Sequence, residues 1–291
     1  MKWLVTGGSG QLGLALQAEL GARGADFVAV DSHELDITDQ SKVNAFVNSI
    51  KPRVIINAAA WTDVDGAEAN ESGANAVNAL GPQNLAILAK KVGSKLVQVS
   101  TDYVFSGEAS IPWSENADHK PQSVYGSTKS AGEKLVLGVH PTGSYVVRTA
   151  WLYSAERKNF AKTMTKLALN REGEVRVVND QMGQPTFTGD LAKQIVDLVL
   201  SSAPVGIYHG TNSGQATWFE FAQEIFNLVG ADVNRVTPVS STEYPRPAKR
   251  PSYSVLGHDA WAKTTVEPMR DWRIALAEAM PAIITAVKAE G

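Results

Sequence analysis

Short apolar runs alternate with amphipathic stretches through the first half of this chain. Lys2 to Thr6, Asp26 to Val30, Val54 to Asn57, Leu96 to Ser100 and Tyr145 to Arg148 have the length and residue types of β-strands. Between them, stretches of helical period begin near Gln11, Asp39, Glu71 and Gly126. Asp39 is a good helix cap ahead of Val43, Phe46, Val47 and Ile50, whose spacing draws one apolar stripe. This βαβαβ order demands a parallel sheet covered by helices.

The rhythm changes after Trp151. The pattern predicts a helix over about 159–170, a strand at 175–178, a helix over 189–200 and a short returning strand at 206–209. A helix capped by Thr217 should follow to Val229, and another should run from about Asp271 to Lys288. Between these two, Pro245, Pro247 and Pro251 exclude helix or central strand. The expected fold class is α/β: a Rossmann-type doubly wound parallel sheet over 1–150, joined by a return segment near 187–212. A smaller C-terminal α/β region over 151–291 should carry the substrate side. No linker separates the two parts cleanly.

At 291 residues the chain can bury a full core unaided. Apolar residues make up 44% and charged residues 20%, far from the composition of disordered chains. A net charge of -3 gives no general attraction to nucleic acid or to acidic membranes, so any anion must be met by a local site. No apolar run approaches the length of a membrane span. Cysteine is absent, which excludes thiolate metal sites and fits a reducing cytoplasm.

Candidate chemistry begins at Gly7-Gly8-Ser9-Gly10-Gln11-Leu12-Gly13, between a predicted strand and a predicted helix. Glycines at 7, 10 and 13 suit a backbone that turns tightly and meets phosphates, with Ser9, Gln11 and Leu12 in the same turn. Asp31, eighteen residues beyond Gly13, follows the second strand, where a carboxylate can hold an adenosine ribose. That carboxylate favours NADH, while Arg23, His33 and Lys42 leave NADPH open. Asp36 and Ile37 could line the adenine, and Ala58, Ala59 and Ala60 are small enough for a flat cofactor to lie close.

Ser100-Thr101-Asp102 closes the fourth strand, at the sheet edge where ligands bind in such folds. Tyr125 and Lys129 stand four apart, on one helix face, so an ammonium can reach the space of a phenol. A cation there would bring the tyrosine pKa nearer neutral. The Thr101, Tyr125 and Lys129 constellation resembles that of the extended short-chain dehydrogenase/reductases. Asn57 to Asp65, Ser100 to Phe105, Asn159 to Met164, Asn179-Asp180-Gln181 with Gly183, Pro185 and Thr186, and Arg250-Pro251 with Ser254 and Leu256 are similar to one branch, the dTDP-4-dehydrorhamnose reductases.

The resemblance implies reduction of the 4-keto group of dTDP-4-dehydro-L-rhamnose by NADH or NADPH, with Thr101, Tyr125 and Lys129 catalytic. It further implies that Thr62, Val64, Asp102 and Trp151 touch the sugar nucleotide, Thr62 also bordering the cofactor. Asn159, Lys162 and Arg250 would meet the dTDP end. Some members share a magnesium ion between subunits through glutamates, one of them two residues after the third glycine. Here that position is Ala15, so no metal and a monomer or weak homodimer are expected.

Other readings remain open at this point. A dehydratase would need a glutamate where Tyr103 follows Asp102. An epimerase or other reductase of the superfamily needs only the cofactor and room for the sugar. A non-catalytic nucleotide-binding regulatory subunit would keep the fold without turnover.

Overall fold

The computed structural model describes residues 1–170 and 172–290; Arg171 and Gly291, the expected end of the second region, lie outside the described residues. In chain order the first half runs β1 (Lys2–Thr6), α1 (Gln11–Ala22), β2 (Asp26–Val30), α2 (Gln40–Ile50), β3 (Val54–Asn57), α3 (Val64–Ala69), α4 (Glu71–Asn75), α5 (Gly81–Val92), β4 (Lys95–Thr101), α6 (Val124–Val139) and β5 (Ser144–Thr149). There follow β6 (Leu152–Tyr153), α7 (Phe160–Leu169), β7 (Val175–Val178), β8 (Met182–Gly183), β9 (Thr186–Phe187), α8 (Thr188–Leu200) and β10 (Gly206–His209). The chain ends with β11 (Ala216–Thr217), α9 (Trp218–Val229), β12 (Val236–Val239) and α10 (Trp272–Glu290).

Six parallel strands make the main sheet in the order β2-β1-β3-β4-β5-β10. Alternation along β1 explains why both faces are covered. Trp3 and Val5 pack with Leu12, Leu16 and Leu20 of α1 and with Leu191 and Ile195 of α8. Leu4, on the opposite face, packs with Val43 and Val47 of α2 and Leu85 of α5. Each fully buried leucine of this kind contributes about 1.5–3 kcal/mol. The strand order reverses between β1 and β3, which opens a crevice at their carboxyl ends. A second core, around Met164, Phe221, Ile225, Trp272 and Ile283, holds α7, α9 and α10 together.

Among the departures from the expected pattern are three that shape the site and its surroundings. Ser123 Oγ accepts from Gly126 N at 3.1 Å, so α6 starts at Val124 and brings Tyr125 into its first turn. Asp63 caps an unexpected short helix, α3, through Gly66 N at 2.9 Å. Unexpected too is β12, whose Pro238 hides it from a strand pattern; it pairs with β7 alone, as an edge strand containing proline can.

Ala76–Leu80 winds as a π turn between α4 and α5. It presents Asn78, whose amide bonds Trp61 N at 2.9 Å and Thr128 Oγ1 at 3.2 Å, to the face of α6. Gly132 of α6 lies against the Asn78 carbonyl so tightly that a Cβ would collide with backbone. Gly132→Ala should therefore cost about 1–3 kcal/mol of stability, measured by urea unfolding; an unchanged midpoint would contradict this packing.

Candidate active site

The crevice at the sheet switch point is a cavity of about 600 Å³. It gathers every residue expected at a cofactor: Gly7, Ser9, Gly10, Gln11, Leu12, Gly13, Asp31, Asp36, Ile37, Ala58, Ala59, Ala60, Thr62, Tyr125 and Lys129. Gly7 has φ +72°, and a Cβ there would sit 2.6 Å from Ala59 N, so only glycine lets β1 and β3 close up beneath the turn. A Cβ on Gly13 would collide with the Gly7 carbonyl, which lets α1 sit directly on the turn. Asp39, Ser123, Asn159 and Thr217 cap their helices with side chains, but α1 begins at Gly10 with no such cap. The residues of its first turn line the cavity, and the free amides of a helix start carry the positive end of the helix dipole.

At the other end of the crevice α6 supplies Tyr125 and Lys129. Lys129 is buried and Tyr125 half-buried, and Lys129 Nζ donates to the Val99 carbonyl at 2.7 Å. Burial pushes the Lys129 ammonium down to about 8, with Glu133 pulling the other way. The Tyr125 phenol moves up to about 12: burial dominates, a hydrogen bond with Thr101 opposes it, and Asp102 adds to it. This corrects the expectation that Lys129 would bring the phenol nearer neutrality. Loss of solvent raises the phenol, Lys129 is not among the groups that lower it, and Tyr125 stays protonated at neutral pH.

Thr101 Oγ1 donates to Asp102 Oδ1 at 2.8 Å. Asp102 is itself buried, which raises its carboxyl to about 6 against the hydrogen bond from Thr101. Its other oxygen, Oδ2, has no partner among the described residues. Tyr103, one residue on, meets the Tyr125 ring edge to face at 5.5 Å and lines a second cavity of about 690 Å³. That cavity is bordered by Phe160, Met164, Trp218 and Tyr244 and by the cations Arg176, Arg246, Lys249 and Arg250. Arg250 Nη2 pairs with Asp65 at 3.0 Å, while its buried Nη1 has no partner among the described residues.

The expected substrate residues are dispersed. Thr62 and Tyr125 line the first cavity and Arg250 the second; Thr101 and Asp102, at the end of β4 and in the turn after it, line neither. Val64 opens α3 and borders neither cavity. Trp151 has one face stacked on Trp218 at 3.5 Å, and it is Trp218 that lines the second cavity, while Trp151 lines neither. Asn159 and Lys162 are not brought to either cavity. The Asn159 side chain caps α7 and reaches Gln11 Oε1 at 3.0 Å, and Lys162 Nζ is held by Glu290 at 2.5 Å. Arg23 is tied to Glu19 and Asp197, and Lys42 stands 3.7 Å from Asp39.

Sequence reasoning missed Val99, Ser100, Thr149, Leu152, Arg157 and Lys158, which also line the first cavity. The strand-end rule that selected Thr101 applies equally to Ser100 and Thr149. Nothing local marks Arg157 or Lys158, which come from the loop before α7. Among the described residues no group of three or more His, Asp or Glu is placed to hold a metal ion, and no helix is long and apolar enough to cross a membrane.

Residues 1–284 match the family described as RmlD substrate binding domain. A dTDP-4-dehydrorhamnose reductase of Streptomyces griseus is 48% identical, the match covering 97% of this chain and 94% of that one. A dTDP-4-keto-6-deoxy-D-glucose reductase of Streptomyces niveus is 47% identical over 96% of each chain. Among solved structures, dTDP-4-dehydrorhamnose reductase of Bacillus anthracis in complex with NADP superposes with a TM-score of 0.91 at 40% identity, covering 96% of this chain and 97% of that one. With its parallel sheet, glycine turn and Thr-Tyr-Lys constellation, this chain belongs to the dTDP-4-dehydrorhamnose reductase family.

Proposed function

We propose that this chain reduces the 4-keto group of dTDP-4-dehydro-L-rhamnose to the alcohol of dTDP-L-rhamnose with NADH or NADPH. The carrying observation is a single cavity in which the glycine turn, the Asp31 loop, Tyr125 and Lys129 converge. Its residues suit a nicotinamide dinucleotide. The uncapped start of α1 favours the pyrophosphate, Asp31 can hold the adenosine ribose, and Thr149 Oγ1 is buried without a partner among the described residues. When bound there the nicotinamide supplies the hydride. The Bacillus anthracis relative carries NADP, so both reduced nucleotides belong to the proposal.

Tyr125, protonated at neutral pH, gives its proton to the sugar O4 as the carbonyl is reduced. Thr101 steadies that oxygen, and the Lys129 cation lowers the cost of the tyrosinate left behind. The cationic lining of the second cavity, Arg250 included, supports placing the dTDP diphosphate there. In this reading residues 1–150 with 187–212 hold the cofactor, and 151–291 mainly hold the sugar nucleotide. A cytoplasmic setting is part of the same proposal. The Streptomyces niveus relative favours a second substrate, dTDP-4-keto-6-deoxy-D-glucose, with the same chemistry at C4.

Oxidation of NADH and NADPH, followed at each sugar in turn, tests the assignment. Turnover should be faster with dTDP-4-dehydro-L-rhamnose, and Tyr125→Phe should lower it by about 10² or more. Full activity in that variant would remove the tyrosine from its role.

Lys129 sits near 8, so its charge is present below that pH and lost above it. The profile of log kcat/KM should therefore fall through a single ionisation as pH rises past about 8. A flat profile to pH 10 would be inconsistent with a required ammonium. Ala15 offers no carboxylate to a shared cation, so the proposed assembly is a monomer or weak homodimer. Adding EDTA should change neither turnover nor the mass measured by light scattering; a chelator-sensitive dimer would overturn that part.

A further inference from the structure

The loop between β6 and α7 crosses from the second core to the glycine turn. Gln11 Oε1, at the first residue of α1, accepts from Ser154 Oγ at 3.1 Å and from Asn159 Nδ2 at 3.0 Å. Arg157 Nε donates to the Ser9 carbonyl at 2.8 Å. These bonds hold Arg157 and Lys158 over the mouth of the first cavity, which both residues line.

Two further observations bear on this pair. Arg157 takes a left-handed backbone, φ +56°, which burdens an arginine and is free for glycine. A strained residue that nevertheless carries a long charged side chain at a cavity is an outlier that calls for a function. Among the described residues neither Arg157 nor Lys158 has an acidic partner, whereas nearby Lys162 and Arg176 are held by Glu290 and Glu243. The cavity's own acids, Asp31 and Asp36, belong to the segment after β2. Positive charge therefore collects at the glycine turn, beside the uncapped amides of α1.

We propose that Arg157 and Lys158 form a clasp for the cofactor's pyrophosphate, the Arg157 guanidinium anchored by Nε to Ser9 and presenting its two Nη groups to the diphosphate. This rests on the cofactor reading above and adds to it two ligands supplied by a loop far along the chain. A guanidinium can meet two phosphate oxygens at once, and the lysine adds a mobile point charge. The pyrophosphate is common to both nucleotides, so the clasp raises affinity for NADH and NADPH equally.

The test is the dissociation constant of each nucleotide, measured by calorimetry without substrate, for wild type, Arg157→Gln, Arg157→Gly and Lys158→Gln. Each substitution should weaken NADH and NADPH by the same factor, about five- to tenfold, and the wild-type advantage should shrink as salt is raised. Arg157→Gln keeps the left-handed strain and Arg157→Gly relieves it. Equal losses in the two, with a melting temperature no lower for Gly, assign the effect to the charge. Unchanged affinities would overturn the clasp, and so would a loss confined to NADPH, which would assign the cations to the 2′-phosphate. A wild-type chain that binds neither nucleotide would instead bring down the cofactor reading itself.

Discussion

One buried carboxylate fixes the catalytic helix to the sheet. Glu133 lies one turn beyond Lys129 on α6 and is 1% exposed, as is its partner Arg148 on β5. Its Oε1 accepts from Ser100 Oγ at 2.5 Å and Arg148 Nε at 3.0 Å, and its Oε2 accepts from Arg148 Nη2 at 2.7 Å. Ser100 is on β4 and lines the first cavity, so a single side chain stitches α6 to two strands behind the reacting atoms. Arg148 is satisfied further by the Glu115 carbonyl at 3.0 Å and by His119 Nε2 at 2.7 Å. Replacing such a pair with apolar residues is often neutral, but removing one partner costs about 3–5 kcal/mol because the other charge is left buried alone. Its value here is geometric: it sets where the first turns of α6 lie over the strand ends.

The same logic joins the two cores. Gln11 is bonded by Ser154 and Asn159, and Asp65 accepts from Arg250 Nη2 and, through Oδ1, from Ala248 N at 3.2 Å. Asn159 also caps α7, the helix that brings Phe160 and Met164 to the second cavity. The Tyr103 and Tyr125 rings stand where the two cavities approach each other. A dinucleotide in one and a sugar nucleotide in the other would bring their reactive ends toward Tyr125, which is what direct hydride transfer requires.

Much of this was legible in the chain because local rules and the fold agree. The inner strands of the main sheet are runs buried on both faces, and helices between the strands carry caps or stripes that a sequence displays. The glycine turn was legible because backbone proximity at Gly7 and Gly13 leaves no space for a side chain. What escaped is non-local. The ion pair of Lys162 with Glu290 joins residues far apart in sequence, so a lysine that looked available to a diphosphate is already engaged. Trp151 gives one face to Trp218 for the same reason. The Tyr125 shift reverses expectation because spacing reveals the neighbouring cation but not the depth of burial. Arg157 and Lys158 acquire meaning only when their loop is laid on the glycine turn.

The central claim is that hydride passes from a nucleotide in the first cavity to the carbon of a ketone held beside Tyr125. Reduction of dTDP-4-dehydro-L-rhamnose with cofactor deuterated at the transferring position of nicotinamide C4, analysed by mass spectrometry and NMR, follows that atom. The account predicts one deuterium per product, located at sugar C4. Product formed without deuterium at C4, or label found at another carbon, would contradict it.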